Sequence, residues 1–158
     1  MENCIGCDLI SGAIELPGGR IYATNHWVVE HCIGPYGIGS LIVKPIRHCV
    51  HFADLFEEEV VEVGPLLKLV SAAITSVLKA DQVYICLWSH MNWKPVHIHF
   101  LLQPMWNEMK NEYANSGAYI QTAMAEKQVF PEKEKIEEFV CKVKQAIAKI
   151  QDGKADVL

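Results

Sequence analysis

Two histidines stand two residues apart in the stretch Pro95-Val96-His97-Ile98-His99-Phe100-Leu101-Leu102-Gln103-Pro104-Met105-Trp106. Imidazole titrates near neutrality, so its neutral form offers one nitrogen as a nucleophile or metal ligand while the other holds a proton. Val96, Ile98, Phe100 and Leu102 alternate with His97, His99, Leu101 and Gln103. That period of two predicts a strand with an apolar face and a histidine face. Side chains two apart on a strand lie roughly 6.5–7 Å from each other. The plain alternative is a half-exposed strand whose histidines face water.

Cys4-Ile5-Gly6-Cys7 is a second candidate centre. A Cys-x-x-Cys pair has three readings: zinc ligation, redox chemistry or coincidence. A thioredoxin-type motif follows a strand and opens a long helix; this one precedes a short segment, which makes redox the weakest of the three. Zinc needs two further ligands from elsewhere in the chain. His48 and His51, on either side of Cys49, follow the run Ser40-Leu41-Ile42-Val43-Lys44-Pro45 and add to the metal-ligand case.

The elements that must position these groups are legible in outline. Arg20–Thr24 and Trp27–Cys32 read as short strands joined at Asn25-His26, and Ser40–Lys44 as a buried strand. Asp54–Ala80 is the longest helical signal, with Val60, Val63, Leu67, Val70, Ile74 and Val77 on one stripe and Glu57, Glu58 and Glu59 at the end where the helix dipole favours negative charge. Pro65 predicts a kink or break in it. Gln82–Ser89 reads as a buried strand, antiparallel to the histidine strand because the connection is short. Pro95 opens the histidine strand and Pro104 marks where its pairing ends. A helix is expected from about Ser116. A last helix has Pro131 in its first turn, Ile136, Phe139, Val143, Ile147 and Ile150 on its stripe, and Gly153 at its end. The expected domain is single, residues 1–158, with its core in 4–106 and a helical part over about 107–152.

Composition narrows the partners. Of the 158 residues, 51% are apolar and 21% charged, as in an ordinary globular domain. The net charge is −5 and there is no basic run, which argues against duplex DNA or RNA as a main partner. No uninterrupted apolar run approaches the ~18 residues of a membrane span. Six cysteines without a visible export signal point to thiols or metal ligands in a cytoplasmic protein.

Four features now line up: Cys4-x-x-Cys7, Lys44-Pro45-Ile46-Arg47-His48, a long helix, and His97-Ile98-His99-Phe100-Leu101-Leu102-Gln103-Pro104. Their order and spacing resemble the histidine triad (HIT) family of nucleotide hydrolases and transferases, whose motif is His-φ-His-φ-His-φ-φ. Anchored on Pro104 and Trp106, the resemblance makes His97 the first histidine and His99 the second, with Leu101 in the third position. It implies an α+β fold with an antiparallel sheet of about five strands, one long Pro-interrupted helix and a C-terminal helix, paired into a homodimer. It implies that His99 attacks the α-phosphorus of an adenylated or dinucleoside polyphosphate substrate and forms a covalent nucleotidyl-histidine. Gln103, His90, Asn92, Leu9 and Glu30 are then the substrate-binding positions, around an AMP-like moiety. Relatives with the N-terminal Cys-x-x-Cys hold a structural zinc, which implies Cys4, Cys7, His48 and His97 as ligands here, with His51 in reserve.

The chain departs from the family pattern at Leu101, which can neither donate a hydrogen bond nor carry charge, and at Trp93-Lys94-Pro95, where a Gly-Gln type segment is common. Both changes remove donors from the phosphate end. The expectation is therefore an enzyme, with a non-catalytic nucleotide-binding module of the same fold as the alternative. Zinc-activated hydrolysis needs an open ligand position, and four protein ligands leave none.

Overall fold

The computed structural model describes residues 4–89, 96–113 and 118–153. Its elements in chain order are α1 (Ile5–Ser11), β1 (Tyr22–Ala23), β2 (Trp27–His31), β3 (Leu41–Pro45), α2 (Glu57–Leu78), β4 (Gln82–Trp88), β5 (His99–Met105), α3 (Met109–Tyr113), α4 (Ala118–Lys127) and α5 (Lys133–Gln151). A single 3-10 turn, Phe52–Asp54, precedes α2. The five described strands form one sheet in the order β1-β2-β3-β5-β4, every pair antiparallel. This is the expected α+β class.

The alternation along β5 sorts the sheet into two faces. Leu102 joins Trp27, Val29, Leu41 and Val43 in the main core, closed by Val63, Leu66, Val70 and Ile74 of α2 and Phe139, Val143 and Ile147 of α5. Phe100 packs its ring 6.0 Å from that of Trp27 on the same side. His99, Leu101 and Gln103 therefore point to the other face. α2 is long and apolar enough to match a membrane span by length and composition. Its buried stripe spends that apolar surface on the sheet and α5, and its first turn is Glu57, Glu58 and Glu59.

Several sequence expectations are corrected. α2 continues through Pro65 as one helix rather than breaking there. Its buried stripe also runs through Leu66 and Ala73, and Val60 is exposed. The reason is Glu59, which the stripe buries in place of Val60. Regular pairing in the histidine strand starts at His99, so His97 and Ile98 precede it, and it runs on past Pro104 to Met105. Pro104 is tolerated because β3 pairs with β5 only over Phe100–Leu102, so the proline lies beyond the doubly paired part. β4 is not buried: it forms the edge next to β5, and Ile85, Leu87 and Trp88 are exposed. Pro131 precedes α5, whose N-cap is Glu132. α3 was not expected; its five residues are too few for a periodic signal.

An ion pair ties the exit of β3 to the start of α2. Arg47 donates from Nε and Nη2 to the two carboxylate oxygens of Glu59, both at 2.7 Å, and from Nη2 to the Asp54 carbonyl. Glu59 also accepts the Phe56 N–H at 2.7 Å, which caps the helix, and the guanidinium lies over the Phe56 ring. Burial pushes the Glu59 carboxyl up, but Arg47 and the Phe56 N–H outweigh it and hold the group below the usual carboxylate range. That contribution is present above the unfolded-state pKa and is lost as pH falls through the lower folded value. Glu59 is buried, whereas Arg47 is about a third exposed. Arg47→Ala, which strands a buried carboxylate, should therefore cost about 3 kcal/mol. Glu59→Gln, which leaves a guanidinium within reach of water, should cost only about 1 kcal/mol. Urea unfolding of the two variants checks this; equal losses would contradict it.

Candidate functional site

α1 brings Cys4 and Cys7 to the histidines. Cys4 is its N-cap in extended backbone, and Cys7 lies three residues on, one helical turn away. Cys4 Sγ is 3.6 Å from His97 Nδ1; Cys7 Sγ is 3.7 Å from the same atom and 3.5 Å from His48 Nδ1. The ligand atoms of Cys4, Cys7, His48 and His97 all lie within 4.8 Å of one another. Tetrahedral zinc with ordinary Zn–S and Zn–N bonds puts sulfur and nitrogen about 3.5 Å apart, so the cluster fits that ion. Two thiolates and two imidazoles would fill all four positions of a tetrahedral shell.

The surroundings prepare the ligands. His97 Nε2 donates to the Pro45 carbonyl at 3.0 Å, which leaves Nδ1 with the lone pair directed at the thiols. Burial pushes the His97 pKa down to about 4, so the ring is neutral, as ligation requires. Burial and the neighbouring Cys4 push the Cys7 thiol up to about 11; a bound dication reverses that. Gly6 is pressed against the His97 ring, where a Cβ would come within 2.6 Å of Nδ1. That contact is the reason for a glycine inside the Cys-x-x-Cys motif. His51 is exposed and outside the cluster.

His99 opens β5, half-buried, on the face away from α2 and α5. Its Nδ1 donates to the His97 carbonyl at 3.0 Å. This holds the proton on Nδ1, so the lone pair sits on Nε2, the nitrogen of a would-be nucleophile. Trp88 of β4 is its register partner. Leu101 shares the face and is 3% exposed, packed between the register partners Ile42 and Cys86. It supplies no donor.

The other expected substrate positions lie on several elements. Leu9 is half-buried on α1. Glu30 is 1% exposed, with one carboxylate oxygen 2.5 Å from Lys44 Nζ and the other 3.9 Å from Arg20 Nε. Burial lowers the Lys44 pKa and Glu30 counters it. Gln103 is fully buried, with its amide donating to the Tyr36 carbonyl and to the Met124 sulfur. His90 and Asn92 lie outside the described residues, as does Lys94. Sequence reasoning missed Lys44 as a partner of Glu30. Their places on paired strands β2 and β3 carry the signal, but only once the register is known. All six cysteines are free thiols.

No protein-family model matches the sequence, and no curated protein matches it either. Solved structures do match. A hypothetical histidine triad nucleotide-binding protein from Sulfolobus tokodaii superposes with a TM-score of 0.74 at 19% identity, over 97% of each chain. A Zn-bound histidine triad family protein from Mycobacterium smegmatis gives 0.71 at 21% identity, over 96% of this chain and 97% of that one. A Hit-like protein involved in cell-cycle regulation, from Bartonella henselae, gives 0.70 at 19% identity, over 92% and 97%. The five-stranded antiparallel sheet, its helices and these superpositions together give the chain the fold of the histidine triad proteins.

Proposed function

We propose that the protein is a histidine triad nucleotidyl hydrolase or transferase that works through His99. In this reading Nε2 of His99 attacks the α-phosphorus of an adenylated or dinucleoside polyphosphate substrate. An N–P bond forms and the bond to the leaving group breaks, with the electron pair departing on the leaving group. Water or another acceptor then breaks the N–P bond and releases the nucleotide. The observation that carries the reading is the 3.0 Å hydrogen bond from His99 Nδ1 to the His97 carbonyl, which presents Nε2 in its nucleophilic form. Zinc held by Cys4, Cys7, His48 and His97 has a structural part, and its ligand His97 belongs to the same segment as the nucleophile. Reduced thiols suit a cytoplasmic setting.

A second reading is a nucleotide-binding module without turnover, favoured by the buried, donorless Leu101. Substrate labelled at the α-phosphate separates the two. A burst of labelled protein that denaturation preserves and acid releases is expected of the enzyme. AMP binding with no label and no turnover would put the module in its place.

A homodimer belongs to the proposal. The β4 edge carries exposed Ile85 and Leu87, and the start of α2 exposes Val60 and Val61, surface that a soluble monomer ordinarily covers or charges. Light scattering should give about twice the 17.8 kDa chain mass, and Ile85→Lys should shift it toward the monomer. Wild-type protein at the monomer mass at micromolar concentration would reject the dimer.

A further inference from the structure

Beneath α4, on the same sheet face as His99, lies a polar strip that the reading above does not use. Gln103 of β5 is 0% exposed, and its Oε1 has no hydrogen-bond partner among the described residues. Its Nε2 reaches the Tyr36 carbonyl only at 3.4 Å, and otherwise meets the Met124 sulfur at 2.9 Å. Turning the amide over would set Oε1 against that carbonyl, so neither orientation satisfies both ends. Gln121 of α4 is also buried, and its amide nitrogen donates to the Cys86 sulfur at 3.6 Å. Thioether and thiol sulfurs are weak acceptors. A buried amide oxygen with no partner among the described residues, beside a donor that leans on sulfur, is a standing cost to the folded protein.

The walls around these amides are aromatic and soft. Met105, Ile120 and Met124 are buried together, with Tyr36, Tyr84 and Tyr113 packed on them. Tyr84 is the register partner of Gln103 on β4. Flat aromatic surfaces beside an amide that offers one donor and one acceptor suit a planar ring with a hydrogen-bonding edge. Met124 stands where the edge of such a ring would meet Gln103, and an unbranched methionine has the rotamer freedom to swing aside.

We propose that this strip is a subsite for a nucleobase-type heterocycle, with Gln103 reading its edge through Oε1 and Nε2 and Met124 as a displaceable plug. Resting on the proposed nucleotide chemistry, the proposal adds a specificity residue to it. The ring comes either from the transferred nucleotide or from the leaving group.

Gln103→Met is close to isosteric and removes both polar ends. Without ligand it should melt about 2–4 °C higher than wild type, because the poorly served amide is gone. Calorimetry with AMP, ribose 5-phosphate and, in a His99→Ala background, diadenosine tetraphosphate should show the opposite trend for ring binding. The variant should bind AMP about tenfold more weakly and ribose 5-phosphate as before. A loss confined to the dinucleotide assigns the subsite to the leaving group. A variant that binds both nucleotides as wild type does, or that melts lower, overturns the subsite and leaves the nucleotide reading standing. Wild-type protein that binds none of the three probes overturns both.

Discussion

His99→Ala is expected to abolish turnover of an AMP ester or phosphoramidate, by at least about 10³-fold, as loss of a covalent nucleophile does elsewhere. AMP binding should stay within a few-fold, because Nε2 bonds to phosphorus only in the reaction. The same substitution should remove the labelled intermediate. Wild-type turnover in the variant would end the assignment. Leu101 sets the scale of the wild-type rate. One missing donor to a developing oxyanion typically costs about 10²–10³ in rate, so the enzyme should be slow but measurable. Leu101→His should raise the rate. It should also destabilise the fold by about 1–3 kcal/mol, because the position is 3% exposed between Ile42 and Cys86. Activity and stability therefore move in opposite directions in that variant, which a mere packing defect would not produce.

Zinc removal is expected to have the largest effect on stability. The purified protein should hold about one zinc per chain, and a chelator should lower its melting temperature by on the order of 10 °C. The ligands come from segments far apart in sequence. α1 supplies Cys4 and Cys7, the exit of β3 supplies His48, and the approach to β5 supplies His97. Outside this cluster, α1 is tied by the exposed hydrogen bond from Arg20 Nη2 to the Ile10 carbonyl, and none of its residues joins the hydrophobic core. Cys4→Ala should reduce both zinc content and melting temperature. Full zinc occupancy in Cys4→Ala/Cys7→Ala would sink the ligand set. Inhibition by chelator with no loss of stability would argue against a structural part for the ion.

The sequence by itself determined the elements that rest on local periodicity. The 3.6-residue stripe marked α2 and α5, and the two-residue alternation assigned His99, Leu101 and Gln103 to one face and Phe100 and Leu102 to the other. Residue chemistry and spacing left the Cys4-Cys7 pair open between zinc, redox chemistry and coincidence; the resemblance to the histidine triad family named Cys4, Cys7, His48 and His97 as one set, and the fold brings their ligand atoms together. Tertiary structure decided what depends on neighbours distant in the chain. Pro65 passes inside α2 because packing on the sheet and α5 outweighs one missing hydrogen bond. β4 reads as a buried strand from its apolar content, yet it lies at an edge, since strand order is not written in local pattern. Gln103 looks like an accessible polar group from its alternation, yet α4 covers it, and only the fold reveals an amide oxygen without a partner among the described residues. The His99 tautomer likewise depends on where the His97 carbonyl points, a backbone orientation fixed by three-dimensional contacts rather than by residue type.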